Sequence, residues 1–258
     1  MKKFELTTEF VTNMFGKKMF RIKALIEFGN VKVGEVGGYV EKEENLSQEG
    51  NAWVGGNARV EGNARVEGNA RVEGNARVGG NAWVEGNARV GGNARVGGNA
   101  WVGGNAWVGG NAWVEGNARV GGNAWVEGNA WVEGNAWVEG NARVEGNARV
   151  GGNAWVEGNA WVEGNARVGG NARVGGNAWV KGNADYALAQ GFGTEFRCTT
   201  FYRDKNKKII VNCGCFHGDL EEFRKQVKET RSGKIAKEYL MIADLMEYHF
   251  ASEDSSDE

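Results

Sequence analysis

Proline is absent from this chain of 258 residues, cysteine occurs three times and histidine twice. The three cysteines, Cys198, Cys213 and Cys215, are an odd number in a chain of this size, which speaks against a disulfide framework. No stretch approaches the roughly 18–20 apolar residues that cross a bilayer. The first eight residues lack the apolar run of a signal peptide. These absences lead us to expect a cytoplasmic protein. Lys and Arg (31) nearly balance Asp and Glu (33), so the formal net charge of -2 gives the whole chain no bias toward nucleic acid or anionic membrane. With proline missing and glycine not at every third position, collagen is excluded.

What the chain does have is glycine, 43 residues of it, and these glycines fall on a strict period. From residue 50 to residue 181 the sequence is one hexad, Gly-Asn-Ala-Arg/Trp-Val-Glu/Gly, repeated 22 times without insertion. A degenerate copy, Gly182-Asn183-Ala184-Asp185-Tyr186-Ala187, follows. A glycine and an asparagine every six residues would break any helix, and the apolar spacing does not match 3.6. On a strand, successive side chains point to opposite faces. Ala and Val then share the inner face, Arg/Trp and Glu/Gly share the outer one, and Gly-Asn makes the corner, where positive φ is tolerated. One hexad cannot bury its inner face alone; stacked coils can. Three hexads per coil give a triangular prism of about seven coils, roughly 35 Å long at about 4.8 Å per coil, with Ala and Val columns inside and Asn ladders at the corners.

The pattern of an aliphatic residue, then Gly or Glu, and a small residue three positions later resembles the hexapeptide repeat of left-handed β-helices. Left-handedness is what that resemblance implies, since chain physics alone favours right-handed crossovers. The flanks sharpen it. Phe20-Arg21-Ile22-Lys23-Ala24-Leu25, followed by Gly37-Gly38-Tyr39-Val40-Glu41-Lys42 and Asn45-Leu46-Ser47, resembles the lead-in of YdcK-type solenoid proteins, which are common in bacteria and their phages. The segment Cys213-Gly214-Cys215-Phe216-His217-Gly218-Asp219-Leu220 is similar to a small domain that often follows such arrays. The resemblance implies a fold more than an activity.

The expected architecture is therefore all-β: a single-chain parallel β-helix of about seven to eight coils over 38–190. An N-terminal β cap covers 1–37, a small C-terminal ββαα cap or docking domain covers 191–250, and a disordered acidic tail covers 251–258. Two strand-like runs around Gly16 should fold over the first coil, with Phe10, Phe15, Phe20, Ile22 and Leu25 as its apolar cover. Strands are expected over 194–202 and 208–213, and helices over 220–231 and 234–250. Asp219 and Glu222 form a capping box for the first helix, and Ile235, Tyr239, Ile242, Leu245, Met246 and Phe250 form the apolar stripe of the second.

The outward Arg/Trp position carries the chemistry. It holds all 11 tryptophans and 11 arginines. Residues 18 apart should stack in columns: Trp53, Arg71, Arg89, Trp107, Trp125, Arg143, Trp161, Trp179; Arg59, Arg77, Arg95, Trp113, Trp131, Arg149, Arg167; and Arg65, Trp83, Trp101, Arg119, Trp137, Trp155, Arg173. Two readings stand. The side chains cover one another by ring and guanidinium stacking, or they form a platform for a protein partner, another copy, or a glycan. Eleven glutamates at the next outward position nearly cancel the arginines, where a nucleic-acid groove is much more basic. Many hexapeptide proteins are acyltransferases that use a histidine beside the prism and loops that interrupt coils. This array has neither, so we expect a non-enzymatic scaffold with no cofactor and keep the acyltransferase as the alternative. Cys198, Cys213, Cys215 and His217 are weak candidates for a zinc site, against the plainer reading of thiols at a strand end and turn.

Overall fold

The structure, a computed structural model, describes residues 1–13 and 15–251. The expected acidic tail, from residue 252 on, lies outside the described residues. The body is a parallel β-solenoid of about eight turns. Strands β1 (Phe4–Thr12), β2 (Lys18–Ala24) and β3 (Val36–Val40) open the chain, and the hexads supply 22 two-residue strands, β4 (Trp53–Val54) through β25 (Trp179–Val180). Each hexad strand pairs in parallel with the one eighteen residues on, as Trp113 with Trp131 and Val114 with Val132. Three sheets result, of ten, eight and seven strands, one for each side of the prism.

The inner alanines and valines are 0–2% exposed, as the two-residue alternation requires. Between coils the backbone hydrogen bonds repeat in register. The Trp113 N–H donates to Ala130 O at 2.9 Å, Glu115 N–H to Val132 O at 2.9 Å and Asn117 N–H to Gly134 O at 2.7 Å, and the pattern repeats along the rod. At the corner between them Gly116 has φ +72°, and a Cβ there would sit 2.8 Å from Gly134 O. Both the backbone angle and the coil above therefore require glycine. The asparagine ladders form as expected: Asn117 Nδ2 donates to Asn135 Oδ1 at 3.0 Å, and Asn135 Nδ2 to Asn153 Oδ1 at 2.9 Å.

The first turn is longer than the rest. Tyr39 pairs with Arg59 and Leu46 with Val66, twenty residues apart, whereas Trp53 pairs with Arg71, eighteen apart. Two extra residues thus lie between Leu46 and Val54. The hairpin of β1 and β2 extends the ten-stranded sheet beyond β3. Its expected apolar cover is only partly right. Ile22 is fully buried, but Phe10 (44%), Phe15 (81%) and Leu25 (37%) are exposed and Phe20 is half-buried, while Phe4, Met19 and Ala24 are buried instead. Register shifts between Leu6 and Phe10 and between Arg21 and Lys23 reset which side chains face inward. Only the near half of the hairpin joins the core, through Phe4, Ile22 and Ala24.

Both ends of the rod are closed by polar side chains standing in for a missing coil. At the start, Lys3, 1% exposed, donates from Nζ to Ala52 O at 3.0 Å and Glu49 O at 3.2 Å and lies 4.8 Å from the centre of the Phe28 ring. The buried Asn45 amide donates to Ala64 O at 2.8 Å and Gly62 O at 3.1 Å. At the far end, donors that would meet the next coil's carbonyls meet side chains: Arg167 N–H donates to Asn183 Oδ1, Arg173 N–H to Thr200 Oγ1 and Lys181 N–H to Asp185 Oδ2, each at 2.9 Å. Backbone donors buried without such partners are costly.

The C-terminal sheet has four strands where sequence patterning suggested two: β26 (Tyr186–Phe192), β27 (Arg197–Arg203), β28 (Ile209–Cys213) and β29 (Phe216–Asp219), in that order. The alternating Tyr202 packs into the solenoid core, and Phe201 packs into a second core beneath the helices α1 (Leu220–Thr230) and α2 (Gly233–Phe250). Asp219 caps α1, accepting from Glu222 N–H at 2.9 Å, while Glu222 accepts from Asp219 N–H at 2.8 Å. In α2 Tyr239, Ile242, Met246 and Phe250 are buried, but Leu245 is 58% exposed and Ala243 takes the inner position. The 100° helical step places 243, 246 and 250 on the face that meets α1, with 245 off it. No helix among the described residues is long and apolar enough to cross a membrane.

Candidate functional site: the arginine and tryptophan columns

The columns read from the eighteen-residue period are those the strand pairing makes. Trp113, Trp131 and Arg149 follow one another on the ten-stranded sheet, as do Arg119, Trp137, Trp155 and Arg173 on the seven-stranded sheet. Tyr39 heads the first of these columns, above Arg59.

Within a column the side chains cover one another. Trp113 and Trp131 stack at 4.9 Å with 1° between their planes, and Trp137 and Trp155 at 4.7 Å with 3°. Guanidiniums close both stacks: Arg95 lies 4.5 Å from Trp113 and Arg149 4.9 Å from Trp131, and Arg119 and Arg173 do the same for Trp137 and Trp155 at 4.8 and 5.3 Å. On the eight-stranded sheet Trp107 stacks on Trp125 at 6.0 Å and Trp161 on Trp179 at 5.8 Å, with Arg143 between Trp125 and Trp161. In the Trp113–Trp131 and Trp137–Trp155 pairs the indole faces thus point along the rod into their neighbours, and their edges point outward. Trp83 (41%) and Trp125 (42%) are the most exposed of them.

Trp53 does not belong to the surface. It is 2% exposed, with Phe28 edge-on at 5.5 Å and the Gly37 backbone against its ring. The N-terminal segment closes over this first tryptophan because the end coil has no earlier coil to cover its column.

The residue two positions on differs between two poses of the surface rings. Where it is Gly103 or Gly109, the rings of Trp101 and Trp107 lie down over that glycine, in space a Cβ would occupy. Where glutamate follows both members of a pair, as at Trp113 with Trp131 and at Trp137 with Trp155, the rings stand parallel. Glu85 and Glu163 accept hydrogen bonds from the Trp101 and Trp179 Nε1 at 2.9 and 2.7 Å.

Arg59, Arg77 and Arg95 differ from the other arginines. They form the longest unbroken arginine run in any column, and across those three coils the neighbouring outward position holds Glu61, Gly79 and Gly97. Arg65 and Arg71 pair with Glu67 and Glu73 at 3.8 and 3.3 Å, but among the described residues Arg59, Arg77 and Arg95 form no ion pair. They line a trough of 450 Å³ with Asn57, Asn75 and Asn93, walled by Val11 and Tyr39. The nearby carboxylates are engaged: Glu61 accepts from Asn13 Nδ2 at 2.7 Å, and Glu9 from Tyr39 Oη at 3.0 Å. The asparagine border follows from the corner position of the hexad, whereas the hairpin wall and Tyr39 are set by the N-terminal segment. Reading the acidic position at the same eighteen-residue period would have shown the acid-poor run.

The four zinc candidates are not brought together. Cys198 lies on the side of β27 that carries Thr200 and Tyr202 toward the solenoid, and burial pushes its thiol pKa up, away from the thiolate a metal needs. Cys213 lies on the opposite side, accepting from Thr199 Oγ1 at 3.0 Å and packing against the helix-side core. Cys215 is exposed in a turn, and His217 faces Gly176 at the end of the solenoid. No group of three or more His, Cys, Asp or Glu among the described residues is arranged to hold a metal.

Fold and columns together define a hexapeptide-repeat β-solenoid whose outer faces are ordered stripes of arginine and tryptophan. A family model described as YdcK Beta solenoid repeat matches residues 88–104 and 166–182, both within the array, so the β-solenoid carries repeats similar to that family's. No curated protein matches it.

Proposed function

We propose that the protein is a non-enzymatic scaffold: a stiff prism that presents Arg and Trp columns on flat faces to a protein partner, to a second copy of itself, or to a glycan. The observation that carries this reading is the unbroken register from β4 to β25, in which each hexad repeats the last and the outward columns run without interruption. A reaction centre needs side chains that converge on one point, and a flat periodic surface repeats the same groups at every turn instead. The solenoid fold accords with this role without assigning it.

Two measurements test the proposal. Light scattering on a sizing column gives the solution mass: a dimer, trimer or filament that dissolves when Trp83 and Trp125 are changed to Ser identifies self-association, and a monomer directs the search to glycans and other proteins. Turnover of acetyl-CoA with any acceptor amine or hydroxyl would overturn the scaffold reading in favour of an acyltransferase.

A further inference from the structure

The three arginines at the N-terminal end of the ten-stranded sheet form no ion pair among the described residues and follow one another without a break. Elsewhere most arginines meet a glutamate, as Arg65 and Arg71 do, or lie on an indole, as Arg119, Arg143, Arg149 and Arg173 do; Arg89 and Arg167 do neither among the described residues, but each has a single arginine neighbour in its column. Arg59 and Arg77 have neither among the described residues, and Arg95 stacks on Trp113 only from its far side. Strand pairing holds the three in adjacent coils, roughly 4.8 Å from one to the next. Like charges at that spacing repel unless an anion lies across them.

We infer that this trough is a binding site for a linear acidic polysaccharide, one carboxylate-bearing sugar lying against each coil. The inference rests on the scaffold reading and names the ligand of one face. Three observations choose this ligand. A guanidinium grips a carboxylate through two parallel N–H donors, and the coil spacing sets three such forks at about the length of one sugar ring. Beside them run Asn57, Asn75 and Asn93; the Asn75 amide donates to Asn93 Oδ1 at 3.2 Å and the Asn93 amide to Asn111 Oδ1 at 3.1 Å, whereas Asn57 stands outside the ladder among the described residues, leaving its amide to bond a ring hydroxyl. Nucleobases need an open ring face to stack on. The nearest indoles, Trp113 and Trp131, have both faces covered by each other and by Arg95 and Arg149. That geometry reads charge and hydroxyls rather than bases.

The test uses the full chain and a polygalacturonate fragment as probe, with dextran as the neutral polysaccharide and an oligothymidylate of equal charge as the nucleic acid. Polygalacturonate should bind, weaken as salt rises, and outcompete both others. Arg77→Gln should cost about tenfold or more in affinity, the loss of a charged two-point contact. Arg77→Lys, which keeps the charge and loses the fork, should fall between. Arg89→Gln, on the eight-stranded sheet, should leave binding unchanged. Arg77 is exposed, and unchanged melting of each variant confirms that folding is intact. Equal loss in Arg89→Gln, preference for the oligothymidylate, or no polygalacturonate binding overturns the site. None of those results touches the scaffold reading, which falls only to acetyl transfer.

Discussion

Trp113 and Trp131, eighteen residues apart in sequence, lie 4.9 Å apart with their ring planes 1° from parallel. The strand pairing of Val114 with Val132 beneath them sets that distance, and the stack is therefore a readout of coil register. Parallel indoles this close couple their electronic transitions. Trp131→Leu should remove this pair's contribution to the near-ultraviolet circular dichroism while the Trp137–Trp155 contribution persists, at a cost of roughly 0.5–1.5 kcal/mol in stability. An unchanged spectrum would mean the rings are not held in this stack.

The two glycines of a hexad should respond differently to a methyl group. At Gly116, where φ is positive and Gly134 O lies 2.8 Å from the added Cβ, alanine should cost more than about 2 kcal/mol. At Gly97 the added Cβ meets nothing closer than the Glu115 carboxylate at 3.7 Å, so the same change should stay within about 0.5 kcal/mol. Denaturant unfolding of Gly116→Ala and Gly97→Ala compares them; equal effects would contradict the corner geometry.

Lys3 makes the N-terminal end sensitive to pH. Burial holds its pKa down to about 8 from the ordinary value of 10.5. Between those values the unfolded chain binds more protons than the native one, so this group's contribution makes stability rise from about pH 8 to about pH 10.5. Lys3→Met should lower the midpoint at neutral pH, because Ala52 O and Glu49 O lose their donor, and should also remove that rise. Unfolding midpoints of both proteins at about pH 7 and about pH 10 isolate the difference; an identical pH slope in the variant would exclude Lys3 as its source.

Thr200 completes the last coil from outside the repeat. Thr200→Val keeps its shape and orphans the Arg173 N–H, which should cost about 1–3 kcal/mol. Hydrogen exchange should quicken at Arg173 and its neighbours while the central coils stay protected. Uniform loss of protection along the rod would show that the ends do not open independently.

Much of this was legible in the sequence because the hexad is self-describing. The two-residue alternation assigns Ala and Val to the inside, and the eighteen-residue period assigns each outward residue its column partners without any coordinates. The Asp219 capping box was equally local, since its two bonds span three residues. What failed lay where the repeat ends. Phe10, Phe15 and Leu25 look like core from composition, but two register shifts leave them at the surface. Strands β26 and β29 carry no clean alternation and are fixed by pairing along the outer edges of β27 and β28. Cys198 and Cys213 looked like possible co-ligands until pairing placed them on opposite sides of one sheet.

The sequence by itself determined the solenoid, its inner columns, its corners and the composition of each outer stripe, because each of these repeats within eighteen residues and needs only strand geometry. Tertiary structure decided what the stripes became. It buried Trp53 under Phe28, set the hairpin wall of Val11 and Tyr39 beside Arg59, Arg77 and Arg95, and closed both ends with Lys3, Asn45, Asn183 and Thr200. Those outcomes depend on contacts between segments with no shared period, so no local pattern encodes them; they follow from the need to pair every backbone group that the last coil at each end leaves open.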